Sequence, residues 1–308
     1  MKTLLVGNGI DIQYGGYAQR GNKAILERVL KNIENNKYAE LGWSSDALRN
    51  FFESSLKVVN RIIEGSWAGD YSKYYLFLRM ELRRIIRTYH TKCELTTLGF
   101  EDLFLGIEVA CLEMEETMGD KFRSDAFLYM QSIILDAIYD DGQVNEIYKN
   151  FPSSLVRKLK SYDAIFTLNY DTNIDKCVNG EVPVYHLHGC FDHLKNGTND
   201  TPDKYRHMFS NGIMTWYWVE KYGNEGEDPR YGIDAFNNIE GSIDILGISP
   251  CNDEQLFIRL QQNPKISSCT YFYYDDSEQT EILHHLSDRL KRHTTVRDVK
   301  KFWNSFCE

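Results

Sequence analysis

Residues 2–9 carry the sequence KTLLVGNG, a short apolar run followed by two glycines around an asparagine. A continuous apolar run of this length is typical of a strand that is buried on both faces of a sheet. Gly7 and Gly9 favour a tight turn directly after the strand, because glycine adopts backbone conformations that other residues avoid. The fold is therefore expected to begin with a buried strand and a turn whose main-chain amides can approach a phosphate.

Four later segments share the features of this first strand. Each is a short run rich in branched or aromatic residues that ends in a polar or glycine cluster; they are residues 164–168, 182–187, 243–246 and 270–274. Helical stretches separate them, which predicts right-handed crossovers and a parallel sheet. We therefore expect an α/β protein with a Rossmann-like parallel sheet, whose ligands bind at the carboxyl ends of the strands.

A long helical block separates the first strand from the remaining strands. The chain has no proline before Pro152, and apolar residues recur at steps of three and four, as in Leu48, Phe51 and Phe52. Five or six helices are expected in this block. Three of them are predicted over residues 74–89, 100–114 and 122–138.

These patterns divide the chain into an α/β domain of residues 1–21 and 152–308 and a helical subdomain of residues 22–151, which offers a natural surface for assembly. Residues 192–234 are polar and too long for an ordinary connection, so we expect a lid beside the site. Residues 278–306 are predicted to form two helices.

Composition and charge argue against several classes of protein. The chain of 308 residues is 42% hydrophobic, enough for a substantial core, and its formal charge of −10 disfavours a broad nucleic-acid-binding surface. No apolar run is long enough to cross a bilayer and no signal-peptide pattern is present, so we expect a cytoplasmic protein. The seven cysteines form no CxxC pair, which favours reduced thiols and argues against a zinc ribbon.

Polar residues alternate after the second predicted strand, in the segment TLNYD at residues 167–171. In an extended chain Asn169 and Asp171 would point to the same side, so that an amide and a carboxylate face one ligand. Such a pair could hold ribose hydroxyls and position a water. Alternatively, the two residues form an Asx turn that only stabilises the end of the strand.

Two further turns have the composition of a nucleotide site. The segment GNGID at residues 7–11 follows the first strand, but the third glycine of the dinucleotide fingerprint is absent, since position 12 is Ile. It is therefore either a nucleotide loop or merely a tight turn. The segment LGISPCND at residues 246–253 combines a glycine with a hydroxyl group and is suited to holding ribose or phosphate oxygens.

The segment VYHLHG at residues 184–189 ends another predicted strand with ionisable side chains and a glycine. His188 is the candidate general base, because an unperturbed histidine is largely neutral near pH 7 and can accept a proton. His186 is expected on the same face but set further back, buried or supporting. A histidine at the end of a strand also occurs as an ordinary structural residue.

A zinc site is the competing interpretation of this segment. His186, His188 and Cys190 alternate along the chain, and His193 and Cys177 are near enough in sequence to complete four ligands. Three ligands that alternate on one strand do not easily surround an ion tetrahedrally, however, and no CxxC or HxxxH pair supports them. We therefore expect no metal.

The order of these motifs resembles that of the sirtuin-like fold. Sirtuins have a glycine-rich turn, an Asn-x-Asp element and a catalytic His-Gly pair in this order, and GNG, LNYD and HLHG match them here. The details of GNGID and LNYD are more similar to bacterial sirtuin-like and AbiH-type proteins of antiphage defence than to the deacylases. The zinc-ribbon cysteines of deacylases are missing, and residues 22–151 show no match.

This resemblance implies an NAD glycohydrolase that cleaves the nicotinamide–ribose bond and depletes NAD during antiviral defence or abortive infection. The implied catalytic residues are Asn169, Asp171 and His188. The implied NAD-binding residues are Gly7, Asn8, Gly9, Asp11, Gly189, Gly247, Ser249 and Asn252. NAD is then the substrate, and a homo-oligomer or a partner such as a HerA-type ATPase or a nucleotide sensor would control the activity.

A second function remains open at this stage. The same pocket could bind NAD or ADP-ribose as a signal without hydrolysing it. The combination of Asn169, Asp171 and His188 favours catalysis, because a sensor does not need a base.

Overall fold

The computed structural model describes most of the chain. The described residues are 1–39, 42–67, 85–86, 89–99, 102–103, 105–107, 109–111, 113, 120–193, 232–250, 253–274, 276, 279, 282 and 293–306. The predicted helix at 74–89 lies almost entirely outside these residues, as do much of the helix at 100–114 and nearly all of the lid at 192–234. Asn252 lies outside them too.

Six parallel strands form one open sheet, in the order β3-β2-β1-β4-β5-β6. They are β1 (Lys2–Val6), β2 (Ala164–Thr167), β3 (Val184–His186), β4 (Gly241–Leu246), β5 (Ile266–Tyr273) and β6 (Thr294–Asp298). This order is the one typical of Rossmann sheets. The predicted α/β class with a Rossmann-like parallel sheet is therefore confirmed.

Helices lie between and after these strands along the chain. They are α1 (Gly9–Gly15), α2 (Tyr17–Arg20), α3 (Asn22–Glu34), α4 (Ser45–Ile63), α5 (Asp120–Tyr139), α6 (Ser153–Leu159), α7 (Asn173–Val178), α8 (Ile233–Asn237), α9 (Glu254–Gln262) and α10 (Val299–Asn304). Short 3₁₀ helices occupy Leu95–Thr97, Asp140–Asn150 and Phe191–His193. Helix α5 confirms the helix predicted over residues 122–138. None of the described helices is long and apolar enough to span a membrane.

The first strand lies at the centre of the sheet. Leu5 is paired in parallel register with Phe166 of β2 on one side and Ile245 of β4 on the other. Leu4, Leu5 and Val6 are each at most 1% exposed, so side chains on both faces of β1 are buried. This explains the uninterrupted apolar run, because a parallel strand covered on both faces has no solvent side for polar residues.

The C-terminal segment agrees with its predicted structure at helix α10 and differs from it just before that helix. Residues 278–306 were expected to form two helices, but residues 294–298 form β6, which extends β5 at the edge of the sheet. Thr294, Thr295 and Val296 are β-branched and favour a strand. The strand has only five residues, and its side chains are half-buried or exposed, so no apolar run distinguishes it from a helix end.

The contacts within the chain divide it into two units. The first comprises Met1–Gly16, Gly142–His193 and the described residues from 232 onward, and it contains the whole sheet. The second includes Tyr17–Asp141, of which the structure describes the residues given above. The boundaries expected from sequence lay instead at residues 21/22 and 151/152.

The second unit has an apolar core of its own. Helices α3, α4 and α5 contribute buried side chains, among them Leu26, Phe52 and Ile133. The hydroxyl of Ser44 accepts a hydrogen bond from the Ala47 amide at 3.2 Å and caps the start of α4. The spacing of apolar residues in α4 matches the pattern that predicted this helix.

Candidate active site at the switch point of the sheet

The strand order reverses between β1 and β4. From β1 the chain continues to β2 and β3 on one side of the sheet, and then returns to β4 beside β1. Ligands of open parallel sheets bind in the crevice outside the carboxyl ends of the strands at such a switch point. The described residues proposed from sequence for catalysis or NAD binding lie in the segments that follow β1, β2, β3 and β4, so the topology brings these four segments to one edge.

The loops after β1 and β4 contact each other through main-chain atoms. The Gly7 amide donates to the Leu246 carbonyl at 2.9 Å. A methyl group on Gly7 would lie 2.5 Å from the Gly247 carbonyl oxygen, and one on Gly9 would lie 2.8 Å from Gly247 Cα. Gly247 itself has a φ of +66°. Only glycine fits at these positions, because any side chain would push the two loops apart.

A buried carboxylate links the first loop to the second. Asp11, in α1, is 3% exposed and accepts hydrogen bonds from Asn169 Nδ2 at 2.9 Å and from Asn173 Nδ2 at 3.3 Å. Asn173 Nδ2 also donates to the Val144 carbonyl, and its Oδ1 accepts from the Tyr148 amide. Asp11 therefore fixes the side-chain amide of Asn169.

Asp171 has a local structural partner. Its Oδ1 accepts a hydrogen bond from the Asn173 main-chain amide at 2.8 Å, which is the Asx geometry at the start of α7. Asn169 and Asp171 are thus joined through Asn173 and Asp11. The extended alternation expected from sequence does not continue here, since β2 ends at Thr167 and the chain bends at residues 170–171.

His188 lies in a turn beyond β3. The Gly189 amide donates to the His186 carbonyl at 3.0 Å, and Gly189 has a φ of +85°, so the chain reverses at His188. His186 and His188 are consequently not two side chains on one face of a strand, as the alternation had predicted. His188 as a whole residue is 8% exposed, and its ring centroid lies 6.2 Å from that of Tyr170.

The His188 ring is a neutral base. Burial lowers the pKa of His188 from 6.5 to about 4. Its Nε2 atom is buried and has no hydrogen-bond partner among the described residues. A buried polar atom without a partner is costly, and such atoms are expected where a ligand or water completes the site.

This burial predicts a specific dependence of stability on pH. The folded pKa of His188 lies below the unfolded value, so its contribution is fully present above pH 6.5 and is lost as the pH falls toward about 4. Between about pH 7 and about pH 4.5 the free energy of unfolding is expected to fall by about 2 kcal/mol from this group alone. Urea unfolding of the wild-type protein and of a His188→Phe variant, each at about pH 7 and about pH 4.5, measures the contribution of His188, because the variant has no imidazole to titrate. Equal losses in both proteins would contradict it.

Two further predicted binding residues, Gly247 and Ser249, lie on the loop after β4. Ser249 is half-buried and its carbonyl accepts from the Asp253 amide at 3.1 Å. A hydrogen bond from β5 holds the loop in place, since the buried Tyr271 hydroxyl donates to the Ile248 carbonyl at 2.8 Å. Gly247 is exposed at the crevice. The loop thus presents main chain and a hydroxyl at the switch point.

The alternative zinc site gains no support from the geometry. Both ring nitrogens of His186 are engaged, one with the Asn169 carbonyl and the other with Asp175. Burial raises the pKa of the Cys177 thiol to about 11, which keeps it protonated at neutral pH rather than ready to bind a metal as thiolate. Within the described part of the chain, no group of three or more His, Cys, Asp or Glu residues could hold a metal ion.

Sequence patterns missed three polar residues of this region. Asn173 is fully buried and connects Asp11 with Asp171. Asp175 faces His186, and Asn145 Oδ1 accepts from the Thr172 amide at 3.0 Å. The segment NYDTNID contains two of them, but its Asn and Asp residues are equally typical of a turn followed by a helix start.

A scan against known protein families finds none that matches this chain, and a search of curated proteins finds no match either. Function therefore has to be argued from the chemistry of the site.

Proposed function

We propose that the protein is an NAD glycohydrolase, which cleaves the nicotinamide–ribose bond and releases nicotinamide and ADP-ribose. The observation that carries this proposal is the His188 ring, a neutral buried base whose Nε2 has no described partner, in the loop after β3 at the switch-point edge. A base of this kind accepts the proton of an attacking water. The Rossmann-like sheet and the sirtuin-like order of motifs support NAD as the substrate.

The chemistry requires few protein groups. The nicotinamide of NAD carries a positive charge and leaves as a neutral molecule, so the protein need not protonate it as glycosidases protonate a leaving oxygen. The reaction needs stabilisation of an oxocarbenium-like ribose and delivery of water. In this proposal Asn169 orients the ribose or the water, His188 accepts the proton, and the charge of Asp171 stabilises the developing cation.

The role of Asp11 changes on structural grounds. Sequence placed it on the pyrophosphate side with Gly7, Asn8 and Gly9, but its buried carboxylate is engaged by two side-chain amides and would repel a phosphate. We assign it to the positioning of Asn169. The amides of Gly7 and Gly189 already donate to the Leu246 and His186 carbonyls, so these two glycines are assigned to the shape of the loops. The turn at Asn8 and Gly9, together with Gly247 and the Ser249 hydroxyl, is assigned to the pyrophosphate and ribose oxygens.

The decisive experiment follows nicotinamide release from NAD by chromatography. The wild-type protein is expected to release nicotinamide, and Asn169→Ala is expected to lose about 10²-fold or more of kcat/KM, because Asp11 can no longer hold an amide against the substrate. The matched control is Asn238→Ala, which removes an exposed amide of the same unit. No release by the wild-type protein, alone or with its neighbouring gene products, would refute hydrolysis.

One observation favours a second function, the sensing of NAD or ADP-ribose without hydrolysis. His188 is only 8% exposed and has a pKa of about 4, which makes it a weak base in the unliganded protein. A binding module would use the Nε2 atom to recognise a hydroxyl instead. Calorimetric binding of NAD that proceeds without nicotinamide release would establish this alternative.

The same proposal includes control of the activity. An unregulated NAD glycohydrolase would harm the cell that makes it, so homo-oligomerisation or a partner such as a HerA-type ATPase or nucleotide sensor is proposed to gate it. Activity that appears only when such a partner is added supports this, and full activity of the isolated monomer contradicts it.

A further inference from the structure

His186 lies between two hydrogen-bond acceptors. It is the last residue of β3 and is 3% exposed. Its Nδ1 is 3.1 Å from the main-chain carbonyl oxygen of Asn169, and its Nε2 is 2.9 Å from Asp175 Oδ2. One ring therefore joins β3, the loop after β2 and helix α7.

The chemistry of these partners determines the protonation of the ring. A main-chain carbonyl has only lone pairs to offer, and an ionised carboxylate likewise only accepts hydrogen bonds. A neutral imidazole has one N–H, so it would direct a lone pair at one of the two oxygens. Only the imidazolium form, with an N–H on both nitrogens, satisfies both contacts.

We propose that His186 is a positioning residue, held as an imidazolium cation between Asp175 and the Asn169 carbonyl, and that its charge sets the position of Asn169 in the proposed site. The inference rests on the proposed function only where it concerns the activity. It assigns His186 no contact with substrate and no role in proton transfer.

The charges around the ring agree with this protonation. Burial by itself lowers the pKa of His186, but the hydrogen bond and negative charge of Asp175, the Asn169 carbonyl and the charge of Asp171 outweigh it and raise the pKa above 6.5. Among the described residues, these two carboxylates, from α7 and from the loop after β2, are the charged groups acting on the ring. The pKa of His188 is shifted in the opposite direction, because burial is the only cause acting on that ring.

The contact bears on the site because Asn169 is held at two points. Its side-chain amide donates to Asp11, and its main-chain carbonyl accepts from His186. When His186 loses a proton, one of its two hydrogen bonds is replaced by two facing lone pairs. Either the Asn169 carbonyl loses its hydrogen bond to the ring on β3, or the ring loses its hydrogen bond to Asp175 on α7.

The sign of the pH effect follows directly. Because the folded pKa of His186 is raised above 6.5, the stabilisation is fully present below pH 6.5 and is lost as the pH rises through the raised value. Nicotinamide release should fall over the same range, by about tenfold where a single deprotonation controls the position of a catalytic amide.

The test uses Asp175→Asn, since replacing the buried ring itself would disturb packing. An asparagine amide can donate to Nε2 while a neutral ring donates from Nδ1 to the Asn169 carbonyl. Both hydrogen bonds are then kept without the charge. The control is Asp234→Asn, which makes the same change of charge at an exposed position in α8. Protein labelled with ¹⁵N in its histidines reports the number of protonated ring nitrogens.

In the wild-type protein and in Asp234→Asn, both nitrogens of His186 are expected to carry protons at about pH 6.5 and above, up to the raised pKa. In Asp175→Asn the ring should be singly protonated there, and the alkaline fall in nicotinamide release should disappear. A singly protonated His186 in the wild-type protein at about pH 6.5 would overturn the proposal. So would an unchanged alkaline fall in Asp175→Asn. If no form releases nicotinamide, the glycohydrolase assignment fails, while the ring protonation still decides this inference.

Discussion

Replacing His188 with alanine is expected to lower kcat/KM for nicotinamide release by about 10²-fold or more, which is the usual loss when a general base is removed. The physical reason is that, among the described residues, His188 has the one imidazole nitrogen that is buried and without a hydrogen-bond partner. His188→Asn should lose as much, because its amide can form hydrogen bonds but cannot take up a proton. Steady-state kinetics with NAD measure both variants.

The control for this prediction is His293→Ala, which removes an exposed imidazole at the start of the strand on the far edge of the sheet. It should retain wild-type kinetics. Since the base must be unprotonated, the acidic limb of the wild-type kcat/KM profile is expected near pH 4 rather than near 6.5. A loss of less than about threefold in His188→Ala removes this residue from the role of base.

Replacing Gly247 with alanine is expected to lower the free energy of unfolding by about 2–4 kcal/mol and to abolish NAD binding. The left-handed φ of +66° costs any residue with a Cβ atom about 1–2 kcal/mol. The new methyl group would also lie 2.8 Å from Gly9 N and Gly9 Cα, and these are main-chain atoms that cannot rotate away. The loops after β1 and β4 must then separate, and the surface proposed for the pyrophosphate changes shape.

Gly180→Ala provides a matched comparison. Gly180 has a similar φ of +76°, but nothing lies within 4 Å of the position that its Cβ would occupy. Its substitution should therefore cost only the conformational part, about 1–2 kcal/mol, and leave NAD binding unchanged. Urea unfolding and calorimetry compare the two variants. Equal losses of unfolding free energy in the two variants would show that the close contact between the loops does not contribute to stability.

The sheet was predictable because its strands are buried on both faces. An uninterrupted apolar run such as Leu4 to Val6 has few other structural explanations when a glycine turn follows it, and helical patterns between the runs favour parallel crossovers. Strand β6 lacks this signal, because an edge strand of five residues with partly exposed side chains has the composition of a loop or a helix end. Its assignment depends on pairing with β5, which is a tertiary contact.

The individual site residues were harder to assign than the loops that carry them. Sequence placed Asn169, Asp171 and His188 after neighbouring strands, and the topology brings those loops to one edge. It could not place Asp11, whose partners lie 158 and 162 residues away along the chain. It also assumed that strand alternation continues to His188, whereas the chain already turns there. Local patterns report the strand, but the turn and its partners depend on distant contacts.

The central position of β1 has a consequence for synthesis. This strand is made before all the other strands of the sheet, yet its two neighbours are residues 164–167 and 241–246, so it stays unpaired for more than 150 residues of synthesis and gains its second neighbour only with β4. Pairings this distant are slow to form, whereas the helices of the second unit depend on contacts closer in sequence. The Asp11–Asn169 hydrogen bond needs the chain as far as β2, and the Gly7–Gly247 contact cannot exist on a nascent chain that ends before β4. A nascent chain that ends before residue 241 therefore has no assembled switch point, and any activity of this edge of the sheet begins only after β4 has been made.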